Sequence, residues 1–116
     1  MTEKERLYTV AEISSITGVT RKTLFYYDKI GLLNPTDRIG PQMHKVYDEE
    51  SLARLKVILR YREAGLSINE VRSVINSSAQ EKRDIYERVL ERLMKEKTER
   101  EKTIRNLLKI MKEELS

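Results

Sequence analysis

The sequence predicts a mostly α-helical fold: a winged helix-turn-helix domain over residues 1–77, then a long dimerisation helix over residues 78–116 that pairs as an antiparallel coiled coil. Three observations carry this expectation. A hydroxyl residue stands three positions before a Glu at Thr9/Glu12, Ser67/Glu70 and Ser78/Glu81, the spacing at which each side chain satisfies a backbone N–H at the other's position and starts a helix. The stretch 32–47 holds Pro35, Gly40 and Pro41 and cannot be helical throughout, because proline removes an amide donor and clashes with the preceding turn. Near the C-terminus apolar residues recur seven apart, the period of a coiled-coil seam.

Element by element, the caps place five helices. Thr9 starts one over 10–17, Thr20 one over 21–30, Asp48 one over 49–64, Ser67 one over 68–75 and Ser78 one over 79–114. Gly31 and Gly65 stand where left-handed C-terminal caps belong. Apolar spacing agrees: Val10, Ile13 and Ile16 recur every three residues, as do Leu52, Leu55 and Ile58, with Leu59 beside them, so each row predicts a buried face. His44–Tyr47 reads as a short strand folding back across the Gly40-Pro41 bend, a hairpin or wing.

Composition narrows the function classes. The chain has 116 residues, 36% charged and 39% hydrophobic, with one Phe and no Trp, so a thin and mostly aliphatic core is expected. No apolar run approaches the roughly 18 residues that cross a bilayer, and Met1 to Arg6 lacks the apolar stretch of a secretory signal. A soluble, cytoplasmic protein with no membrane partner is expected. With no Cys and one His, disulfides, thiolate chemistry and soft-ligand metal sites are excluded. No metal and no cofactor are expected. Glu49 and Glu50 begin a helix and complement its dipole. Ser14-Ser15 and Ser77-Ser78 lack a base or oxyanion context, so the chain is not read as an enzyme. Net charge is +4, and the surplus is shared evenly: 12 Lys/Arg against 10 Asp/Glu in 1–79, and 11 against 9 in 80–116. A basic face must therefore come from folding.

In the last helix, Leu90, Lys97, Ile104 and Met111 form one row and Leu93, Arg100, Leu107 and Glu114 its partner, with Met94, Leu108 and Leu115 alongside. A helix of about 35 residues spans roughly 50 Å at 1.5 Å per residue, longer than the preceding domain can cover. The apolar residues Leu90, Leu93, Met94, Ile104, Leu107, Leu108, Met111 and Leu115 are therefore expected to pack against a second copy. The seam is apolar at both ends and polar at Lys97, Arg100 and Glu101. Antiparallel pairing sets apolar ends on apolar ends and polar middles at the two-fold axis, whereas parallel pairing stacks Lys97 on Lys97.

Two short helices joined by Gly18-Val19-Thr20 form a helix-turn-helix whose second helix fits a major groove about 12 Å wide. Leu24 and Tyr27 face inward toward Ile13 and Ile16, which leaves Arg21, Lys22, Phe25, Tyr26 and Lys29 around the outer surface. Arg21 and Lys22 suit guanine edges or phosphates; Thr20 and Tyr26 suit phosphate oxygens.

The run Tyr8-Thr-Val-Ala-Glu12 through Gly18-Val-Thr-Arg-Lys-Thr-Leu-Phe-Tyr-Tyr-Asp-Lys-Ile-Gly-Leu-Leu-Asn-Pro35 resembles the start of the MerR family of bacterial transcription regulators. His44-Lys-Val-Tyr47 is similar to that family's wing strand, and 52–75, with Arg60-Tyr-Arg-Glu-Ala-Gly-Leu-Ser-Ile-Asn-Glu70, to its second helix pair. The resemblance implies a homodimer on a pseudo-palindromic double-stranded promoter site, bending or untwisting the DNA between half-sites, with RNA polymerase as a further partner. It places Arg21, Lys22, Phe25, Tyr26 and Tyr27 on the recognition helix, His44 and Lys45 in the wing, and Arg62 at a phosphate-contacting position. The sequence departs from the family in three places. Phe25 stands where Arg is usual, which trades a cationic contact for an apolar one. Met43-His44-Lys45 replaces Gly-Tyr-Arg, so Gln42 or Arg38 is expected to share the wing's work. After the long helix only Leu115 and Ser116 remain, so a short member lacking a separate effector-binding domain is expected. The alternative is an architectural DNA-binding factor of the recombination-directionality type. A third reading is a coiled-coil interaction protein with a vestigial helix-turn-helix.

Overall fold

The computed structural model describes residues 6–116, which form two compact units, one ending at Ala64 and the other beginning at Gly65. The expectation drawn from Met1 to Arg6 falls almost wholly outside the described residues. The first unit runs β1 (Tyr8–Thr9), α1 (Val10–Thr17), α2 (Arg21–Lys29), β2 (Asp37–Ile39), β3 (His44–Tyr47) and α3 (Glu49–Glu63). The second holds α4 (Ile68–Ile75) and α5 (Ala79–Leu115).

The caps do what the sequence spacing requires. Thr9 and Ser67 make full capping boxes with Glu12 and Glu70, and Thr20, Asp48 and Ser78 each accept a backbone amide three residues on. Gly18 ends α1 in the left-handed region at φ 79°, a conformation that costs other residues a clash at Cβ. The turn between α1 and α2 is therefore tight enough to bring the helices into contact.

The expected hairpin is present and belongs to a three-stranded antiparallel sheet in the order β1-β3-β2. Arg38 lies opposite Lys45 and Ile39 opposite His44, while Tyr8 and Thr9 pair with Tyr47 and Val46. The two-residue β1 is an addition to the sequence reading. Its Tyr8 hydroxyl donates to the Glu49 carboxylate, which joins the sheet to the start of α3. At the hairpin's base, Thr36 accepts from the Asp48 amide at 2.9 Å, and Arg54 Nε donates to the Leu32 carbonyl at 3.1 Å.

The core of this unit comprises Tyr8, Val10, Ile13, Val19, Leu24, Tyr27, Leu32, Leu33, Val46, Tyr47, Leu52, Leu55 and Ile58, all buried. Ile16 is a correction. It was expected to face inward with Ile13, yet it is 48% exposed. At 3.6 residues per turn each three-residue step falls roughly 60° short of a full turn, so Ile16 lies about 120° around α1 from Val10 and off the face that Val10 and Ile13 bury.

In the second unit, Leu66, Val71, Val74, Ile85 and Val89 are buried. Arg92 of α5 holds Glu70 of α4 with two hydrogen bonds, at 2.8 and 3.0 Å, and reaches the Gly65 carbonyl at 2.7 Å. Arg92's hydrogen bonds, followed by the Ser67 amide, hold the Glu70 carboxyl down to about 2. A carboxylate whose folded value lies below its unfolded one stabilises the fold in full above the ordinary value near 4.5 and loses that contribution as pH falls toward 2. Thermal melts across pH 2–6 are expected to show the wild type losing stability over this window, with Glu70→Gln, already uncharged, losing less. Parallel curves for the two proteins would contradict the linkage.

Candidate nucleic-acid interface

The inward packing of Leu24, fully buried, and Tyr27, 4% exposed, fixes the outward face of α2. Thr20, Arg21, Lys22, Phe25 and Tyr26 are all exposed. Thr20 Oγ1 accepts from the Thr23 amide at 3.0 Å and donates to Thr23 Oγ1 at 2.9 Å, so its hydroxyl is already engaged in starting the helix. Tyr27 is the exception among the recognition-helix residues: its ring belongs to the core, which corrects its place among outward contacts. The cause is its i, i+3 spacing from Leu24, which the sequence already shows.

The wing stands beside this helix, and the two are tied by one carboxylate. Asp28 accepts from Arg38 Nη1 at 3.0 Å and Nη2 at 3.1 Å, from Asn34 Nδ2 at 3.0 Å, and lies 3.5 Å from Lys45 Nζ. Arg38's two-pronged bond is the main cause that lowers the Asp28 carboxyl below its ordinary range, with Asn34 and Lys45 adding to it. Above this knot the Lys45 ammonium sits 3.8 Å from the centre of the Phe25 ring, and the Arg21 guanidinium 5.9 Å from it. Both are within reach of a cation–π attraction. Phe25, standing where the family's Arg was expected, thus makes a floor for two cations supplied by its own helix and by the wing.

Between wing and helix lies an open concavity of about 730 Å³, lined by Thr9, Val10, Arg21, Phe25 and the wing residues from Ile39 to Val46 except Pro41. His44 is exposed and Lys45 half-buried at its rim. Arg62 lies exposed in the last turn of α3. The structure brings Arg21, Phe25, His44 and Lys45 around one hollow, with Lys22 and Tyr26 on the exposed face of the same helix. Asp28 and Asn34 were missed by sequence reasoning. The available signal was an acid on an otherwise basic helix, three residues after Phe25.

With this geometry in view, comparison with known proteins decides the relationship. Residues 8–78 match the family described as MerR HTH family regulatory protein, and residues 52–114 match that described as MerR, DNA binding. The chain belongs to the MerR family. The transcriptional activator TipA of Streptomyces coelicolor is 40% identical over 76 residues, 66% of this chain and 30% of TipA. The transcriptional activator mta of Bacillus subtilis is 29% identical over 100 residues, 86% of this chain and 38% of mta. The chain thus spans about a third of the length of these curated relatives. Among solved structures, a MerR-family transcriptional regulator from Bacillus cereus superposes with a TM-score of 0.82 at 27% identity, covering 93% of this chain and 82% of that one. The N-terminal part of the Bacillus subtilis multidrug transporter activator gives 0.72 at 28% identity, covering 90% and 97%.

Against the MerR pattern, the wing tip gains a physical meaning. Met43, where the family's glycine is usual, has φ 54° and is 57% exposed. Its amide donates to the Gly40 carbonyl at 3.0 Å to close the turn. A left-handed non-glycine residue costs about 1–2 kcal/mol, offset in part by the roughly 0.5–1 kcal/mol of extra chain entropy a glycine carries when unfolded. Met43→Gly is therefore expected to raise stability in urea unfolding by about 0.5–1 kcal/mol. A loss of stability would show that the methionine side chain contributes packing at the tip.

Proposed function

We propose that this MerR-family chain is a sequence-specific, DNA-binding transcription regulator. It acts as a homodimer on a pseudo-palindromic, double-stranded promoter site, with α2 of each copy in a major groove and each wing on the flanking backbone. The observation that carries the reading is the meeting of Arg21, Phe25, His44 and Lys45 around one hollow beside the exposed Lys22 and Tyr26. Cations at a helix start serve phosphates and guanine edges alike, and an exposed ring offers apolar contact to thymine methyls. Arg62 adds a backbone contact.

The second support lies along α5. Leu90, Met94, Ile104, Leu107, Leu108, Met111 and Leu115 are 46–78% exposed, a row too apolar to remain wet along a helix of about 55 Å. Leu93 is only half exposed, and a Cβ added at Gly65 would stand 3.1 Å from it. Leu93 therefore packs partly within its own chain, while Ile110, 49% exposed, joins the seam. Antiparallel pairing of two α5 helices buries this row and sets two recognition helices on one duplex. Such a dimer offsets a few kcal/mol of bending or untwisting by its contacts at both ends, and a promoter reshaped in this way is presented to RNA polymerase.

Two measurements test the reading. Light scattering of the wild-type chain is expected to give the mass of a dimer, and Leu107→Glu together with Leu108→Glu that of a monomer; a monomeric wild type would refute the pairing. On a duplex selected by the protein from random sequence, Arg21→Ala is expected to cost about 1–3 kcal/mol while weakening random DNA much less. Equal losses on both duplexes would make Arg21 a phosphate contact only.

A further inference from the structure

The cations that the wing presents are not free. Arg38 and Lys45 lie opposite each other on adjoining strands, and both turn toward Asp28, whose side chain is 12% exposed and those of Arg38 and Lys45 37% and 20%. Arg38 spends two of its five N–H donors on that carboxylate, and Asn34 holds it from a third direction at 3.0 Å. Lys45 is held a second time by the ring of Phe25. An unrestrained Arg or Lys follows any phosphate within the sweep of its side chain, whereas a pinned one meets only a phosphate that arrives at a fixed place.

From this geometry we infer that Asp28 is a specificity-determining residue: by holding Arg38 and Lys45 against α2, it suppresses sequence-independent phosphate binding by the wing and leaves the wing productive only when α2 is seated in its proper site. Asp28 is a positioning residue, acting through the two cations and not through contact with DNA. The inference rests on the DNA-binding reading above and assigns that site its regulation. Asp28 leaves one net positive charge among three ionised groups. Its neutral isostere keeps one acceptor for the Asn34 amide but replaces the other carboxylate oxygen with an N–H donor and cannot hold a guanidinium by charge.

Fluorescence anisotropy with the full chain tests it, using one duplex selected by the protein and one scrambled duplex over a range of salt. Asp28→Asn is expected to tighten binding to the scrambled duplex roughly tenfold at low salt, and to steepen its log K against log salt by about 0.9 for each phosphate newly engaged. The ratio of selected to scrambled affinity falls accordingly. In an Arg38→Gln/Lys45→Gln background, adding Asp28→Asn is expected to change neither quantity. A gain that persists there would show plain charge repulsion between Asp28 and DNA and overturn the inference. An unchanged scrambled-duplex affinity and slope in Asp28→Asn would overturn it too. Where melting shows Asp28→Asn unfolded, Arg38→Lys gives the same test, because it keeps the charge, loses the two-pronged bond and is expected to steepen the slope. A wild type that binds neither duplex overturns the DNA-binding reading and the inference with it. A wild type that binds, with variants that match it, overturns the inference alone.

Discussion

Helices α1 and α2 pack against each other, and the burial of Ile13 and Leu24, both fully enclosed, decides what α2 can offer to a partner. Once Leu24 and Tyr27 point inward, the 3.6-residue period puts Arg21, Lys22, Phe25 and Tyr26 outward. In a chain with one Phe and no Trp, few large side chains exist to hold any other arrangement. The core, aliphatic apart from Tyr8, Tyr27 and Tyr47, is thus small, but it leaves little choice of orientation. Fully removing such buried leucine or isoleucine atoms typically costs about 2–5 kcal/mol, a large part of the stability of a domain this size. The orientation of α2 and the survival of the fold therefore depend on the same few contacts.

Much of this was legible from spacing alone. Capping depends on residues three apart, so Thr9/Glu12, Ser67/Glu70 and Ser78/Glu81 fixed three helix starts, and the ends of α2, α3 and α5 fall one residue from expectation. The wing strand His44–Tyr47 was legible because Gly40-Pro41 breaks the chain before it. Short or non-local features were not. A two-residue strand such as β1 has no period to detect, and its pairing with Tyr47 spans almost 40 residues. Ile16 misled because a strict three-residue repeat drifts around a helix of 3.6 residues per turn, so the third apolar residue leaves the face that the first two share.

The candidate interface divides along the same line. Outward residues of α2 follow from periodicity, whereas the joining of Asp28, Asn34, Arg38 and Lys45 depends on how the hairpin folds back. Each of these four, taken singly, reads as an ordinary surface residue. Phe25 shows how a substitution changes meaning once neighbours are known. In sequence it is a lost cation; in the fold its ring sits beneath Lys45 and near Arg21, so positive charge remains above that spot, supplied from elsewhere. Likewise Leu93 belongs to the heptad row by count, yet Gly65, lacking a Cβ and at φ 92°, draws it partly into its own unit.

The three residues of β2, all exposed, form an outer strand whose far side has no strand beside it among the described residues. Open backbone edges invite neighbouring molecules to add strands, which is how many small β-structures clump. Here the strand is short, carries Asp37 and Arg38, and runs directly into a Gly-Pro bend that offers no amide at Pro41. A wing of this build is a poor template for an added strand.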